Sequence, residues 1–283
     1  MTDYLVYDVF TQSRFGGNQL AVIPDARAIP EGDLQQIARE FNFSETTFVY
    51  PPNDPAHTAK VRIFTPTMEI AFAGHPTIGT AIALRDQGHS GEMVLELGVG
   101  PIPCSFAGDT ASFVTSAALE RISLPDVALV AAALGLPETA IDTTTHLPVQ
   151  ASLGLTFVIV ALDSADSLAA CAPNLDAIRE GAQKHPASLD FAIYAYVREG
   201  GQIDARMFAA LDKIPEDPAT GSAAATLAAL LTEVLDAPQN LTITQGVKMG
   251  RPSLITATTQ NQRPAPVTIS GTAVRVMEGR LVT

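Results

Sequence analysis

The sequence predicts an α+β protein of two similar lobes, and three observations carry that reading. Its 283 residues are long for one core and natural for two. Short alternating apolar strands recur along the chain with few helices between them. One strand–loop–helix pattern also occurs twice. Arg62-Ile63-Phe64 leads through a loop to a helix near Gly74-His75-Pro76, and Arg206-Met207-Phe208 leads to another near Thr220-Gly221-Ser222. The matched units suggest a duplicated half, with a cleft between the copies. The boundary is expected in the loop near Ser116 to Asp126. That gives an N-terminal lobe at 1–116, completed by 266–283, and a C-terminal lobe at 117–265.

The elements follow in order. Tyr4 to Phe10 reads as strand, Ser13 to Asn18 as turn, and Leu20 to Ile23 as strand. Pro30 opens a helix whose Leu34, Ile37, Ala38 and Phe41 share one face. Thr46 to Tyr50 and Ala59 to Thr65 are strands, and Pro76 is expected to begin a helix through Ile78, Ala81, Ile82 and Arg85. Short strands follow near Met93 to Leu97, Ile102 to Phe106 and Ala111 to Thr115. The second half reads as strand over Leu155 to Leu162, helix over Ala172 to Gln183, and strands over Phe191 to Val197 and Ile203 to Ala209. A helix over Gly221 to Leu235 carries Leu227, Leu230, Leu231 and Val234 on one apolar face. Four strands close the chain, near Leu241 to Thr244, Ser253 to Thr258, Val267 to Ser270 and Val274 to Met277.

Composition narrows the function. Hydrophobic residues are 47% and charged residues 17% of the chain, which describes a well-buried globular protein. The net charge of -13 repels phosphate backbones and anionic lipid, so neither nucleic acid nor a membrane surface is an expected partner. Cys104 and Cys171 form no CxxC pair and read as buried free thiols, which fits a cytoplasmic location. The N-terminus shows no signal-peptide pattern, and the apolar runs are too short to span a bilayer. His57, His89, His146 and His185 read as surface residues. No zinc-ligand spacing, nucleotide fingerprint, zincin or serine-hydrolase motif is present, so no metal and no cofactor is expected.

Both Gly-containing turns deliver backbone N–H groups at a helix start. Those groups lack intrahelical partners and carry partial positive charge, so they suit a carboxylate or phosphate. Either turn alone also reads as ordinary capping, with Pro76 at the first helical position and Thr220 or Ser222 as cap. The matched pair favours ligand binding. Glu45, among apolar neighbours in Phe43-Ser44-Glu45-Thr46, is a candidate proton carrier or else a solvated acid at a strand start. His75 is a candidate neutral donor or acceptor, or a capping histidine. Asp217, before Pro218, is a candidate polar anchor or a turn starter.

Read together, these segments resemble the PhzF-like family of phenazine biosynthesis. The resemblance rests on Tyr7-Asp8-Val9-Phe10 with Gly17-Asn18, Asn42-Phe43-Ser44-Glu45-Thr46, Arg62-Ile63-Phe64-Thr65-Pro66, Gly74-His75-Pro76-Thr77, Glu216-Asp217-Pro218-Ala219-Thr220-Gly221-Ser222, and Gln245-Gly246 with Met249-Gly250-Arg251-Pro252-Ser253. It implies the diaminopimelate-epimerase-like fold: two pseudo-symmetric lobes, each a curved β-barrel-like sheet around a central helix. By the same resemblance Glu45 falls on the catalytic acid/base, with His75 and Asp217 as the other active-site polar groups. Gly74, Gly221 and Ser222 fall where the substrate carboxylate is held, and Asn18 joins the substrate-binding set. The related epimerases use two cysteines at the helix starts. The nearest positions here are taken as Ala73 and Pro218, which excludes two-thiol chemistry. Gln19, Ala73, Ala224 and Ala225 depart from the family pattern around the expected pocket, so the substrate stays open.

The resemblance implies a cofactor-independent isomerase acting on a small carboxylic acid like trans-2,3-dihydro-3-hydroxyanthranilate, in a homodimer. The alternatives are a racemase or epimerase of another small amino or hydroxy acid, and an inactive metabolite-binding relative.

Overall fold

The structure is a computed structural model describing residues 1–260 and 262–282. It divides into two compact units, Met1–Thr115 with Ile269–Thr283, and Ser116–Thr268. The fold is mixed α/β, rich in strands and sparing in helices.

The first unit runs β1 (Thr2–Val9), β2 (Asn18–Ile23), α1 (Leu34–Phe41), β3 (Glu45–Tyr50), β4 (Ala59–Phe64), β5 (Glu69–Ile70), α2 (Gly74–Asp86), β6 (Met93–Leu97), β7 (Gly100–Ala107) and β8 (Thr110–Thr115). The second runs β9 (Glu120–Ser123), α3 (Val127–Leu134), β10 (Val149–Ser152), β11 (Thr156–Ala161), α4 (Ala165–Ala170), α5 (Leu175–Lys184), β12 (Ile193–Glu199), β13 (Gln202–Ala209), β14 (Ile214–Asp217), α6 (Gly221–Leu235), β15 (Asn240–Gln245) and β16 (Ser253–Thr259). The division falls within β17 (Val267–Gly271), and β18 (Ala273–Leu281) belongs to the first unit.

One succession of pairings describes both units. In the first, β1 lies between β18 and β2, antiparallel to both. Then β2–β3 is parallel, β3–β4 antiparallel, β4–β6 parallel and β6–β7 antiparallel. In the second, β10 lies between β9 and β11, antiparallel to both. Then β11–β12 is parallel, β12–β13 antiparallel, β13–β15 parallel and β15–β16 antiparallel. Parallel neighbours need a crossover, and helices supply it: α1 between β2 and β3, α2 between β4 and β6, α4 and α5 between β11 and β12, and α6 between β13 and β15.

Burial explains which helices do what. α1 is amphipathic: Leu34 and Ala38 are buried against Ile23, Phe48 and Phe64, with Ile37 and Phe41 packed beside them. α2 and α6 are buried on all sides, from Gly74 to Leu84 and from Ala223 to Thr232. A helix without a polar face belongs in a core. The single apolar face expected for α6 therefore understates it, because Ala223, Ala224, Ala225, Ala228 and Ala229 close its other sides. Gly79 lets α2 approach the sheet, since a Cβ there would lie 2.5 Å from Leu20 Cδ2 and 2.7 Å from Val9 Cγ2.

Several expectations shift. α2 begins at Gly74 rather than Pro76; a proline is tolerated in the first turn because that N–H would lack an intrahelical partner. α5 begins at Leu175 rather than Ala172, because the Asn174 side chain accepts from the Asp176 and Ala177 N–H groups. No periodicity foreshadows α3, since Val-Ala-Leu-Val-Ala-Ala-Ala-Leu shows no polar stripe. β9 occupies the expected boundary loop. Three of the four histidines expected at the surface are half-buried. His57 Nδ1 lies 2.9 Å from Glu96, His146 Nε2 2.8 Å from the Tyr196 hydroxyl, and His185 Nδ1 2.9 Å from Ser123. Cys104 and Cys171 are free and buried.

Candidate active site

Strand alternation delivers the first group of side chains. On β3, Phe48 packs into the α1 cluster, while Thr47 accepts a 3.0 Å hydrogen bond from the Thr80 hydroxyl of α2. Side chains on a strand repeat with a period of two, so Glu45 shares the Thr47 face and points toward α2. On β2, Leu20 lies against Gly79 of α2, so Asn18 points the same way. His75 is the second residue of α2. The three meet: Asn18 Nδ2 and Glu45 Oε2 each lie 3.3 Å from His75 Nδ1.

His75 is 3% exposed. Burial pulls its pKa down to about 3, with a ring N–H bond to the Gln19 backbone carbonyl acting the other way. The positive helix end works in the same direction as burial. The imidazole is therefore neutral near pH 7, and its contact with Glu45 is not an ion pair. A neutral ring carries one N–H. If Nδ1 bears it, the ring donates to the Gln19 backbone carbonyl, and Glu45 Oε2 lies 3.3 Å away as a contact rather than a hydrogen bond. If Nε2 bears it, Nδ1 accepts from the Asn18 amide. A tautomer change thus exchanges which neighbour the ring serves.

The helix start beside His75 is open. The residue before α2 is Ala73, which has no side chain to cap it. The Thr77 N–H and hydroxyl both turn back to Ala73 O, at 3.4 and 2.7 Å. That leaves the Gly74 and His75 N–H groups without intrahelical partners, and Pro76 has none to offer.

In the second unit the residue before α6 is Thr220, and its side chain does not cap the helix either. Ala73 and Thr220 therefore hold the corresponding place, which corrects the pairing of Ala73 with Pro218. Gly221 is buried and Ser222 is half-buried in the first turn of α6. Asp217 ends β14 opposite Met207 of β13, and Met207 lies opposite Tyr194 of β12. Residues directly opposite share a face, so Tyr194, Met207 and Asp217 form one row. The Thr220 hydroxyl donates to Asp217 Oδ2 at 2.6 Å. Gln245 Nε2, on β15, donates to Asp217 O at 2.7 Å and to Thr220 Oγ1 at 3.0 Å, and its Oε1 accepts from Thr220 N at 3.2 Å. The Tyr194 phenol is fully buried, and burial first, then the Asp217 charge, pushes its pKa up.

An arginine clamp precedes each helix start. Arg62 grips Glu69 through Nε and Nη2 at 2.7 and 2.6 Å and stacks on Phe64. Arg206 grips Glu216 through the same two nitrogens, both at 2.8 Å, and stacks on Phe208. These are the arginines of the sequence repeat, and each ties a short strand to its neighbour just before the turn.

Glu45, His75, Asn18 and Gly74 thus gather in the first unit. Asp217, Gly221 and Ser222 gather at the α6 start in the second. Sequence reasoning gave no role to Gln245 or Tyr194. Gln245 is 28 residues from Asp217, and no periodicity links such a pair. Among the described residues no group of three or more His, Cys, Asp or Glu side chains could hold a metal ion, and no helix is long and apolar enough to cross a membrane.

Comparison with known proteins adds to this geometry. The family model described as phenazine biosynthesis-like protein matches residues 7–279. An uncharacterized isomerase of Mesorhizobium japonicum is 37% identical, over 99% of this chain and 98% of that protein. The trans-2,3-dihydro-3-hydroxyanthranilate isomerase of Pseudomonas fluorescens is 34% identical over 100% of both chains. The crystal structure of a PhzF-family phenazine biosynthesis protein from Bacillus anthracis superposes with a TM-score of 0.87 at 24% identity, over 100% of this chain and 99% of that one.

Proposed function

Because this chain belongs to the phenazine biosynthesis-like family, we propose that it is a cofactor-independent isomerase that moves a proton on a small carboxylic acid resembling trans-2,3-dihydro-3-hydroxyanthranilate. Glu45 is the acid/base. As carboxylate it takes a proton from a carbon next to an unsaturated system, the electron pair shifts along that system, and the protonated Glu45 returns the proton at another carbon. Nothing is oxidised or reduced, so the step needs no electron carrier. His75 and Asp217 position the substrate's polar groups, with Asn18 beside His75. The N–H groups at Gly74 and Gly221, with the Ser222 hydroxyl, hold the carboxylate.

One observation carries this reading: Glu45 Oε2 lies 3.3 Å from His75 Nδ1, at an uncapped helix start. The partner is a neutral ring that can donate or accept without neutralising the carboxylate. In the finer reading the two units are the pseudo-symmetric lobes of a diaminopimelate-epimerase-like fold. The duplicated sequence pattern and the recurring strand pairings support it. The enzyme is proposed to act in the cytoplasm as a homodimer.

The experiment replaces Glu45 with Gln and follows turnover and deuterium uptake from heavy water. Loss of both is the expected result. Undiminished activity would remove Glu45 from the reaction, and exchange at a stereocentre without double-bond migration would replace isomerisation by epimerisation.

A further inference from the structure

A groove of about 230 Å³ opens in the second unit beside the Arg206 clamp. Its floor is the face of β13 that carries Asp204 and Arg206, two residues apart and so on one side of the sheet. Thr244 of β15 lies in register beside Asp204. Leu168 and Ala169 of α4 form one wall, and Val247 and Lys248, just past β15, form the other. Both walls are held in place. Arg206 Nη1 donates to Leu168 O at 3.0 Å and to Cys171 O at 2.9 Å. The turn carrying Val247 and Lys248 is closed at its base, where the Met249 and Arg251 N–H groups both donate to Gly246 O at 3.1 Å. A ligand therefore meets a formed site, with little ordering left to do.

The charges along the groove decide what fits it. Arg206 is spent, with Nε and Nη2 on Glu216 and Nη1 on the α4 carbonyls. Asp204 and Lys248 are not. Both are exposed, and among the described residues neither makes a hydrogen bond or an ion pair, with the other or with any third group. The rest of the lining is Thr244 and aliphatic side chains, Val247 being 59% exposed. A neutral apolar molecule there would take one acid and one base from water without pairing either. An anion would pair Lys248 and crowd Asp204, and a cation would do the reverse. A zwitterion with an aliphatic chain answers the acid, the base and the apolar walls together. The volume sets its size, since drug-sized ligands fill about 300–1,000 Å³ and this groove is smaller.

We propose that this groove binds a free aliphatic α-amino acid of about the size of leucine. Its ammonium meets Asp204. Its carboxylate meets Lys248, whose flexible stem can follow it. Its side chain packs between Leu168, Ala169 and Val247 and covers apolar surface that water otherwise touches. None of these residues belongs to the set proposed for the proton shift, so the site is additional to that function and does not rest on it.

Calorimetry on the whole protein with leucine tests this. Saturable one-site binding is the expected result. Isocaproate, which lacks the ammonium, and isopentylamine, which lacks the carboxylate, are expected to bind at least about tenfold more weakly, the low end of what one bond to a charged group contributes. Asp204→Asn and Lys248→Met are expected to weaken leucine by a similar factor. Both side chains are exposed and unpaired, so neither change disturbs folding. Ala169→Phe is expected to fill the groove and abolish binding, and the two charge variants carry the test if it does not fold. Glu45→Gln is expected to bind leucine as the wild type does. No saturable heat up to about 10 mM leucine overturns the proposal. So does equal binding of isocaproate or isopentylamine, or a leucine affinity unmoved by both charge variants. Binding lost in Glu45→Gln would put the amino acid in the candidate active site and overturn it too. Nothing is read from turnover, so failure here is distinct from full activity in Glu45→Gln.

Discussion

Exchanging Arg206 for lysine, and separately Arg62 for lysine, sets one bonding pattern against two environments. Arg206 holds Glu216 by two bonds at 2.8 Å. Its Nη1 also donates to Leu168 O at 3.0 Å and Cys171 O at 2.9 Å, closing the end of α4. Its side chain and that of Glu216 are 12% and 17% exposed. A lysine keeps the charge but loses the planar fork, and it cannot reach Glu216 and both carbonyls together. Bonds to charged groups contribute about 1.5–3 kcal/mol each where water cannot replace them. Allowing the lysine to recover roughly half, Arg206→Lys is expected to cost about 3 kcal/mol. At about 2–4 °C per kcal/mol, that is a fall of roughly 6–12 °C in Tm. Arg62 makes three equally short bonds, but its partners Glu69 and Glu31 are 42% and 75% exposed. Water and salt take over such contacts, so Arg62→Lys is expected to cost about 0–1 kcal/mol. Urea and thermal unfolding of both variants measure the difference. Equal losses would refute the reasoning, because burial would then not distinguish the two clamps.

Two further outcomes follow from the packing of α2. Gly79→Ala gains up to about 1 kcal/mol of helix propensity, but its methyl meets Leu20 and Val9, and overpacking of that kind costs about 1–3 kcal/mol. A net loss of stability in urea is expected, and a gain would show that β1 and β2 yield. Stability should also depend on pH through His75. Its folded pKa is about 3 against an ordinary 6.5, so below pH 6.5 the unfolded chain takes a proton that the folded one refuses. Stability is complete above pH 6.5 and falls with pH toward about 3, by about 3 kcal/mol at pH 4.5. His75→Gln should flatten that slope in urea midpoints between pH 7 and 4.5, and an unchanged slope would move its cause elsewhere.

Much of the fold is legible in the chain because long elements announce their period. β6 and α6 fall where alternation and helical spacing put them, and the repeat of Arg62-Ile63-Phe64 in Arg206-Met207-Phe208 marks strands with the same neighbours. What escapes is decided by contacts distant in sequence. β5 and β14 are two and four residues long, too short for a period, and exist because Phe64 and Met207 offer them partners. α3 lacks polar contrast. The true start of α2 depends on which backbone groups can stay open, which a proline two residues later conceals. At the site, Glu45 and His75 can be chosen by residue type and by resemblance. Their 3.3 Å contact follows from how α2 packs on β3, where Thr80 meets Thr47. The Gln245 link to Asp217 depends on β15 lying beside β13, and no local pattern carries that.

The pairing of β1 with β18, from Thr2↔Leu281 to Val9↔Ala273, has a consequence for how the chain is born. Synthesis is vectorial, at about 5–20 residues per second. The first unit lacks β18 until that strand has been made, whereas every residue of the second has been made before β18 begins. The half that is made first is thus completed last. Until then β1 waits with one edge unpaired, an exposed template for other chains. Emergence of β18, rather than of Glu45 and His75, sets the moment at which the first unit can close.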